Sequence, residues 1–177
     1  MSLKELTNHK HREAEATAFM QELIAGRVYP EVWTDFVYQK WVFYKTIESL
    51  AATHCGANAL PDFFRTIHLF DDYRELAGNQ RYTIRTSTID YHNYLLSLSH
   101  HKDKIMAHVY VWHMGDLFGG QMIRKLVPGT NRHLIFSDRD QIIHFIRQQT
   151  NDSMAQEAIV AFDFAIRIMK EIFDIPT

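Results

Sequence analysis

Apolar residues recur along this chain at three- and four-residue steps, the period of helices with one buried face. The first such segment opens on Ser2-Leu3-Lys4-Glu5, a capping-box pattern, and is predicted to stay helical until Gly26. A second helix is predicted from near Pro30 to about Cys55, carrying Trp33, Phe36, Val37, Tyr44, Ile47 and Ala51 at helical spacing. A shorter, less regular region covers about 61–78. Another helix starts near Ser87 and carries Ile89, Tyr94, Leu95 and Leu98. A long segment from His101 to Val127 follows, interrupted only by glycines. Ser137-Asp138-Arg139-Asp140 is a second capping-type start, for a helix to about Thr150, and Ser153 opens the last helix, which ends near Asp174. Residues 132–136 have an extended look but no partner strand. With no repeat or linker between these segments, the pattern predicts a single all-α domain over residues 1–177.

Chain-breakers are scarce: 7 Gly and 4 Pro in 177 residues, against usual abundances of about 7% and 5%. Gly26, Gly56, Gly78 and Gly129 fall where helical patterns stop, whereas Gly115, Gly119 and Gly120 crowd into one helical segment. Hydrophobic residues make up 46% and charged residues 23%, a globular balance. The net charge of −2 lacks the basic excess of a nucleic-acid binder. Cys55, the single cysteine, excludes an internal disulfide and any multi-cysteine zinc site. No apolar run exceeds five residues (158–162), and the first residues lack an apolar leader, so the expectation is a cytoplasmic protein with no membrane anchor.

Eleven histidines invite a search for ligands. His9, His100, His101 and His133 sit in polar sequence and are expected to be solvated; His54, His68, His92 and His144 show no ligand spacing. Neither H-E-x-x-H nor E-x-x-H occurs, so helical zinc and di-iron carboxylate patterns are missing. His11 stands apart because Lys4, Thr7, Glu15 and Ala18 share its helical stripe. Its pairing with Glu15 reads either as a surface contact or as a metal-ligating imidazole oriented by a carboxylate. The second constellation runs from Ala107-His108 through Gly115-Asp116-Leu117-Phe118-Gly119-Gly120-Gln121. Each interior glycine costs about 0.8–1 kcal/mol relative to Ala, so the cluster needs a reason. Close helix packing or a kink is one; a flat ligand lying against backbone, with Asp116 holding water beside it, is the other.

Together, His11-Arg12-Glu13-Ala14-Glu15 with Phe19-Met20, and the downstream Ala107-His108 and Gly115-Asp116-Leu117-x-Gly119-Gly120-Gln121, resemble heme oxygenase over residues 3–126. A weaker likeness continues through Arg147 and Phe162. The resemblance implies a multi-helix bundle with heme between a proximal N-terminal helix and a glycine-kinked distal helix. It implies His11 as axial iron ligand, supported by Glu15. Gly115 and Gly119 would let the distal backbone approach the heme, and Asp116 would organise waters that deliver protons during oxygen activation. Lys4, Tyr110 and Arg147 would hold or flank the propionates, and Phe162 would pack on the ring. The implied reaction is oxygen-dependent cleavage of heme to biliverdin, ferrous iron and carbon monoxide. Electrons would come from ferredoxin or another reductase, and a bilin reductase could follow.

Four positions depart from the family pattern. Trp112 stands where many members carry Arg, Phe118 replaces a small Ser, His113 replaces an aromatic, and Ile143 takes a basic propionate-side position. A heme-binding or heme-transfer protein that leaves the ring intact is therefore the alternative reading. A helical relative without heme is disfavoured by the missing E-x-x-H set.

Overall fold

The computed structural model describes residues 1–56 and 62–173. Nine α-helices follow in order: α1 Leu3–Glu15, α2 Ala18–Ile24, α3 Pro30–Cys55, α4 Thr66–Ala77, α5 Thr86–Ser97, α6 Lys102–Phe118, α7 Gly120–Ile123, α8 Arg139–Gln149 and α9 Ala155–Phe173. Short 3-10 turns at Arg132–Leu134 and Asp152–Met154 complete the described elements, among which there is no strand. The fold is all-α, as the hydrophobic period predicts. Pro61 and Asp174, expected near element boundaries, lie outside the described residues.

Local chemistry sets most boundaries. At the start of α1, the Ser2 N–H donates to Glu5 Oε2 (2.7 Å) while the Glu5 N–H donates to Ser2 Oγ (3.4 Å), forming the expected capping box. The helix does not continue to Gly26. Thr17 turns extended, donates its hydroxyl to Ala14 O (2.8 Å) and accepts from the Met20 N–H (3.3 Å), capping a separate α2. That helix ends in a Schellman turn: the Arg27 N–H reaches Glu22 O (2.8 Å) and the Gly26 N–H reaches Leu23 O (3.1 Å), with Gly26 at φ +68°. Asp138 caps α8 through the Gln141 N–H. Asn151, rather than Ser153, caps the turn that leads into α9. The 132–136 stretch opens with the 3-10 turn Arg132–Leu134 and turns extended only at Ile135, without forming a strand.

Helix α3 is the axis of the bundle, packed by α4, α5, α6 and α9. Its Val37, Phe43, Tyr44 and Ile47 are fully buried in the main core, beside Tyr91, Leu95, Ile105, Met106 and Ile146. On α5 the buried face carries Ser87, Thr88, Tyr91 and Leu95, so the expected Ile89 points to solvent instead. Tyr91 takes its place because stacking on Phe164 and packing against Phe43 and Trp112 bury a larger ring. A second, smaller cluster joins α1, α6 and α9 through Leu3, Ala107, Val111, Ala158, Ala161 and Phe162.

Candidate functional site

Helices α1 and α6 both pack along α9, yet make little contact with each other. Ala107 of α6 and Ala158, Ala161 and Phe162 of α9 are buried together where these helices meet. His11 stands on the α1 side with its side chain 56% exposed. Its Nδ1 is 3.5 Å from Glu15 Oε2, and its ring meets Phe162 edge-on, with centroids 6.0 Å apart. Thus the i, i+4 pair forms, and the structure adds an aromatic contact from Phe162 of α9, far away in sequence. Lys4 is exposed two turns earlier on the same helix and forms no ion pair among the described residues.

Tyr110 of α6 is half-buried. Burial pushes its hydroxyl up, while the Thr7 side chain and the charge of Arg147 pull it back. Tyr110, Thr7 and Arg147 are therefore neighbours drawn from α1, α6 and α8, although Arg147 itself is exposed. Ile143, on the same helix as Arg147, belongs to the main core and has no part in this edge.

The three glycines of the α6–α7 segment serve different ends. Gly115 is exposed, and a Cβ built there would meet nothing within 4 Å. A Cβ on Gly119 would sit 3.2 Å from Gly115 O, where the helical run breaks between α6 and α7. A Cβ on Gly120 would come within 2.7 Å of Leu134 Cδ2, so this glycine admits the 132–134 turn. Packing explains Gly120; it does not explain Gly115.

Asp116 points away from solvent toward α3. One oxygen pairs with Lys40 Nζ; the other accepts from Tyr44 Oη at 2.6 Å. Burial, then the charge of Asp116, drives the Tyr44 hydroxyl far above the ordinary phenol range, so it stays a donor. The field extends to His133, which is fully buried rather than solvated as its polar sequence suggests. Its Nδ1 lies 2.8 Å from Asp72 Oδ2, and Asp72 also accepts the Arg132 and His133 backbone N–H groups. A buried carboxylate at the adjacent turn overrides the local polarity and draws the imidazole inward. Burial, followed by the charge of Lys40, lowers the His133 pKa, favouring the neutral ring.

Two further polar networks flank α6. Trp112 Nε1 donates to Tyr91 Oη (2.9 Å), which lies 2.8 Å from His108 Nδ1; His108 Nε2 reaches Glu157 (3.1 Å). His113 stacks on Phe63 at 4.4 Å and approaches Glu48 Oε1 at 3.2 Å. Glu48 also caps the start of α4 by accepting the Arg65 and Thr66 N–H groups. Trp112 and His113 are thus held within the bundle.

Lys40, Tyr44 and His133 escape the search for catalytic spacing. The signal for Lys40 was nevertheless present: Trp33, Val37, Lys40, Tyr44 and Ile47 form one buried 4-3-4-3 stripe, with a lysine where an apolar residue belongs. A lysine at such a position requires a buried acid.

The fold has close counterparts among solved structures. Heme oxygenase-1 from Synechocystis sp. PCC 6803 in complex with heme superimposes with a TM-score of 0.85 at 20% identity, covering 97% of this chain and 90% of that one. Heme oxygenase from Leptospira interrogans gives 0.81 at 20% identity, covering 96% and 97%. Heme oxygenase-2 from Synechocystis sp. PCC 6803, in complex with heme and NO, gives 0.84 at 21%, covering 96% and 83%. No curated protein matches the sequence. A family model described as heme oxygenase matches residues 1–156, including both α1 and the α6–α7 segment, and this chain belongs to the heme oxygenase family.

Proposed function

We propose that this protein binds heme between α1 and α6 and cleaves it, with molecular oxygen and electrons from a partner protein, to biliverdin, ferrous iron and carbon monoxide. The observation that carries the reading is the heme oxygenase family match over residues 1–156, which takes in a half-exposed imidazole on α1 and an exposed glycine on α6 that no packing requires. A glycine with open space before it lets a flat ring approach backbone. Heme is both substrate and cofactor here, and when bound it supplies the redox chemistry.

The protein's part is to hold, orient and hydrate. His11 would offer an imidazole nitrogen to the iron, and Glu15 would steady the other side of the ring directly or through water. Phe162 meets the His11 ring and fixes its tilt. Lys4, Tyr110 and Arg147 would provide cations and a hydroxyl for the propionates and so would orient the ring. Gly115 and Gly119 keep the α6 backbone free of Cβ atoms near the reacting edge. Asp116, through the lone pairs that Lys40 and Tyr44 leave free, anchors water for proton delivery. Electrons come from ferredoxin or another reductase, and a bilin reductase is a fitting consumer of the product. A cytoplasmic location is part of this proposal; separately, among the described residues no helix is long and apolar enough to cross a membrane.

The alternative of a heme carrier draws on Trp112, whose indole N–H is spent inside the bundle on Tyr91 instead of serving the distal face. Incubation with hemin, air, ferredoxin, its reductase and NADPH separates the two. The enzyme reading expects loss of the heme absorption, appearance of biliverdin and release of carbon monoxide. A stable heme complex that yields no biliverdin with a competent reductase would assign the protein to heme transfer instead.

A further inference from the structure

Among the described residues, the arginine ion pairs with a buried partner tie a helix end or a loop: Asp35 holds Arg85 before α5, Asp62 holds Arg65 before α4, and Asp72 holds Arg132. Lys40–Asp116 ties the middle of α3 to the last turn of α6, and Asp116 accepts from side chains rather than from backbone. Both side chains are over nine-tenths buried, 4% and 9% exposed, and the Lys40 ammonium also lies 5.2 Å from the centre of the Tyr44 ring. A lysine in the core stripe is costly to desolvate, and a buried pair is weak evidence for stability alone. What the pair does supply is direction. Two donors from consecutive turns of α3, one charged and one neutral, grip the two oxygens of one carboxylate and leave its plane little freedom.

We propose that Lys40 is a positioning residue for the distal carboxylate, holding Asp116 in the one orientation in which its remaining lone pairs fix the proton-delivering water beside Gly115. The proposal rests on the heme-cleaving reading, and it locates the control of proton delivery in α3 rather than in α6 alone. The charged and titratable groups around the pair come from three sides. Tyr44 and Glu48 lie on α3, with Glu48 acting on Tyr44 by charge. His113 lies on α6, its ring 4.9 Å from that of Tyr44. His133 comes from the 132–134 turn, with its Nε2 buried and unpartnered and its field set partly by Lys40. Of these, only Lys40 and Tyr44 bond Asp116, so loss of Lys40 frees one oxygen while the rest of the shell stays in place.

The experiment has two arms. In the protein without heme, urea unfolding of Lys40→Met, Asp116→Leu and the double variant forms a double-mutant cycle. The double variant is expected to unfold at higher urea than Lys40→Met, because each single change strands a buried charge; a double variant no more stable than Lys40→Met overturns the pairing. In the second arm, hemin affinity and the ratio of biliverdin to hydrogen peroxide are measured with reductant and air. Lys40→Met is expected to keep its hemin affinity within about threefold while biliverdin yield falls at least about tenfold, the scale of a lost proton-transfer arrangement. Lys40→Arg should recover part of it, and Lys40→Met should add nothing in an Asp116→Leu background. Wild-type turnover with an unchanged product ratio in Lys40→Met overturns the positioning role. A wild type that makes no biliverdin overturns the enzymatic reading and with it this role, while the urea cycle still judges the pairing.

Discussion

Helices α1 and α6 carry their candidate site residues on opposite plans. On α1, His11 and Glu15 are half-exposed, close one local contact between them, and meet the rest of the bundle at Phe162. On α6, Asp116, His113 and His108 are buried, and each is bonded to a residue far away in sequence: Lys40 and Tyr44, Glu48, and Glu157. The first plan leaves a ligand free to meet its partner. The second immobilises a polar group inside a low-dielectric interior, where its direction matters more than its exposure. Substitutions should therefore cost stability on α6 and ligand contacts on α1.

The largest effect is expected at Asp116. Asp116→Ala strands the Lys40 ammonium in the core, and breaking a buried pair on one side costs about 3–5 kcal/mol. Chemical denaturation of the heme-free protein measures it, and a loss under about 1 kcal/mol would show that the pair behaves like a surface contact. Next comes acid. Burial, opposed in part by Glu157, depresses the His108 pKa, and burial with the Lys40 charge depresses that of His133. Both rings are neutral when folded and take up protons when unfolded. Their contribution is thus complete above about pH 6.5 and is lost as pH falls toward the depressed values, each histidine giving a slope of up to about 1.4 kcal/mol per pH unit. Unfolding midpoints between pH 7.5 and pH 5 check this, on the scale of those ordinary values. His108→Asn should flatten the slope; a midpoint that rises on acidification contradicts the account.

Smaller and opposite in sign is the glycine comparison. Gly115→Ala should stabilise the heme-free protein by about 0.5–1 kcal/mol through helix propensity, because its Cβ enters open space, and it should weaken hemin binding. Gly120→Ala should destabilise it, because Leu134 Cδ2 stands 2.7 Å from the new Cβ. Thermal melts and hemin titrations of the pair distinguish the glycine that makes room for a ligand from the one that makes room for protein.

The same contrast explains what the sequence reveals. His11, Glu15 and Lys4 lie on one helix, so a 3.6-residue period places them together without any knowledge of the fold. The all-α class, the span of α3 and the caps at Ser2 and Asp138 are legible for the same reason. Asp116 stands out through its glycines, but its partners do not, because Lys40 is 76 positions away and hidden in an apolar stripe. His133 is misread for the complementary reason: polar neighbours suggest solvent, whereas Asp72 from α4 provides a buried acceptor. The break at Thr17 is carried by a capping threonine that a continuous helical composition conceals. Local period gives elements and one-helix sites; long-range polar pairing becomes visible only in three dimensions.

The smallest effect on stability is expected at His11, where replacement of a half-exposed side chain should change unfolding by less than about 0.5 kcal/mol. It is also where the account is most directly tested. The absorption spectrum of the ferric hemin complex should differ sharply between wild type and His11→Ala, and added imidazole should return the variant spectrum to that of wild type. Identical spectra for the two proteins, with biliverdin formed at the same rate, would contradict the assignment of His11 and the placement of heme between α1 and α6.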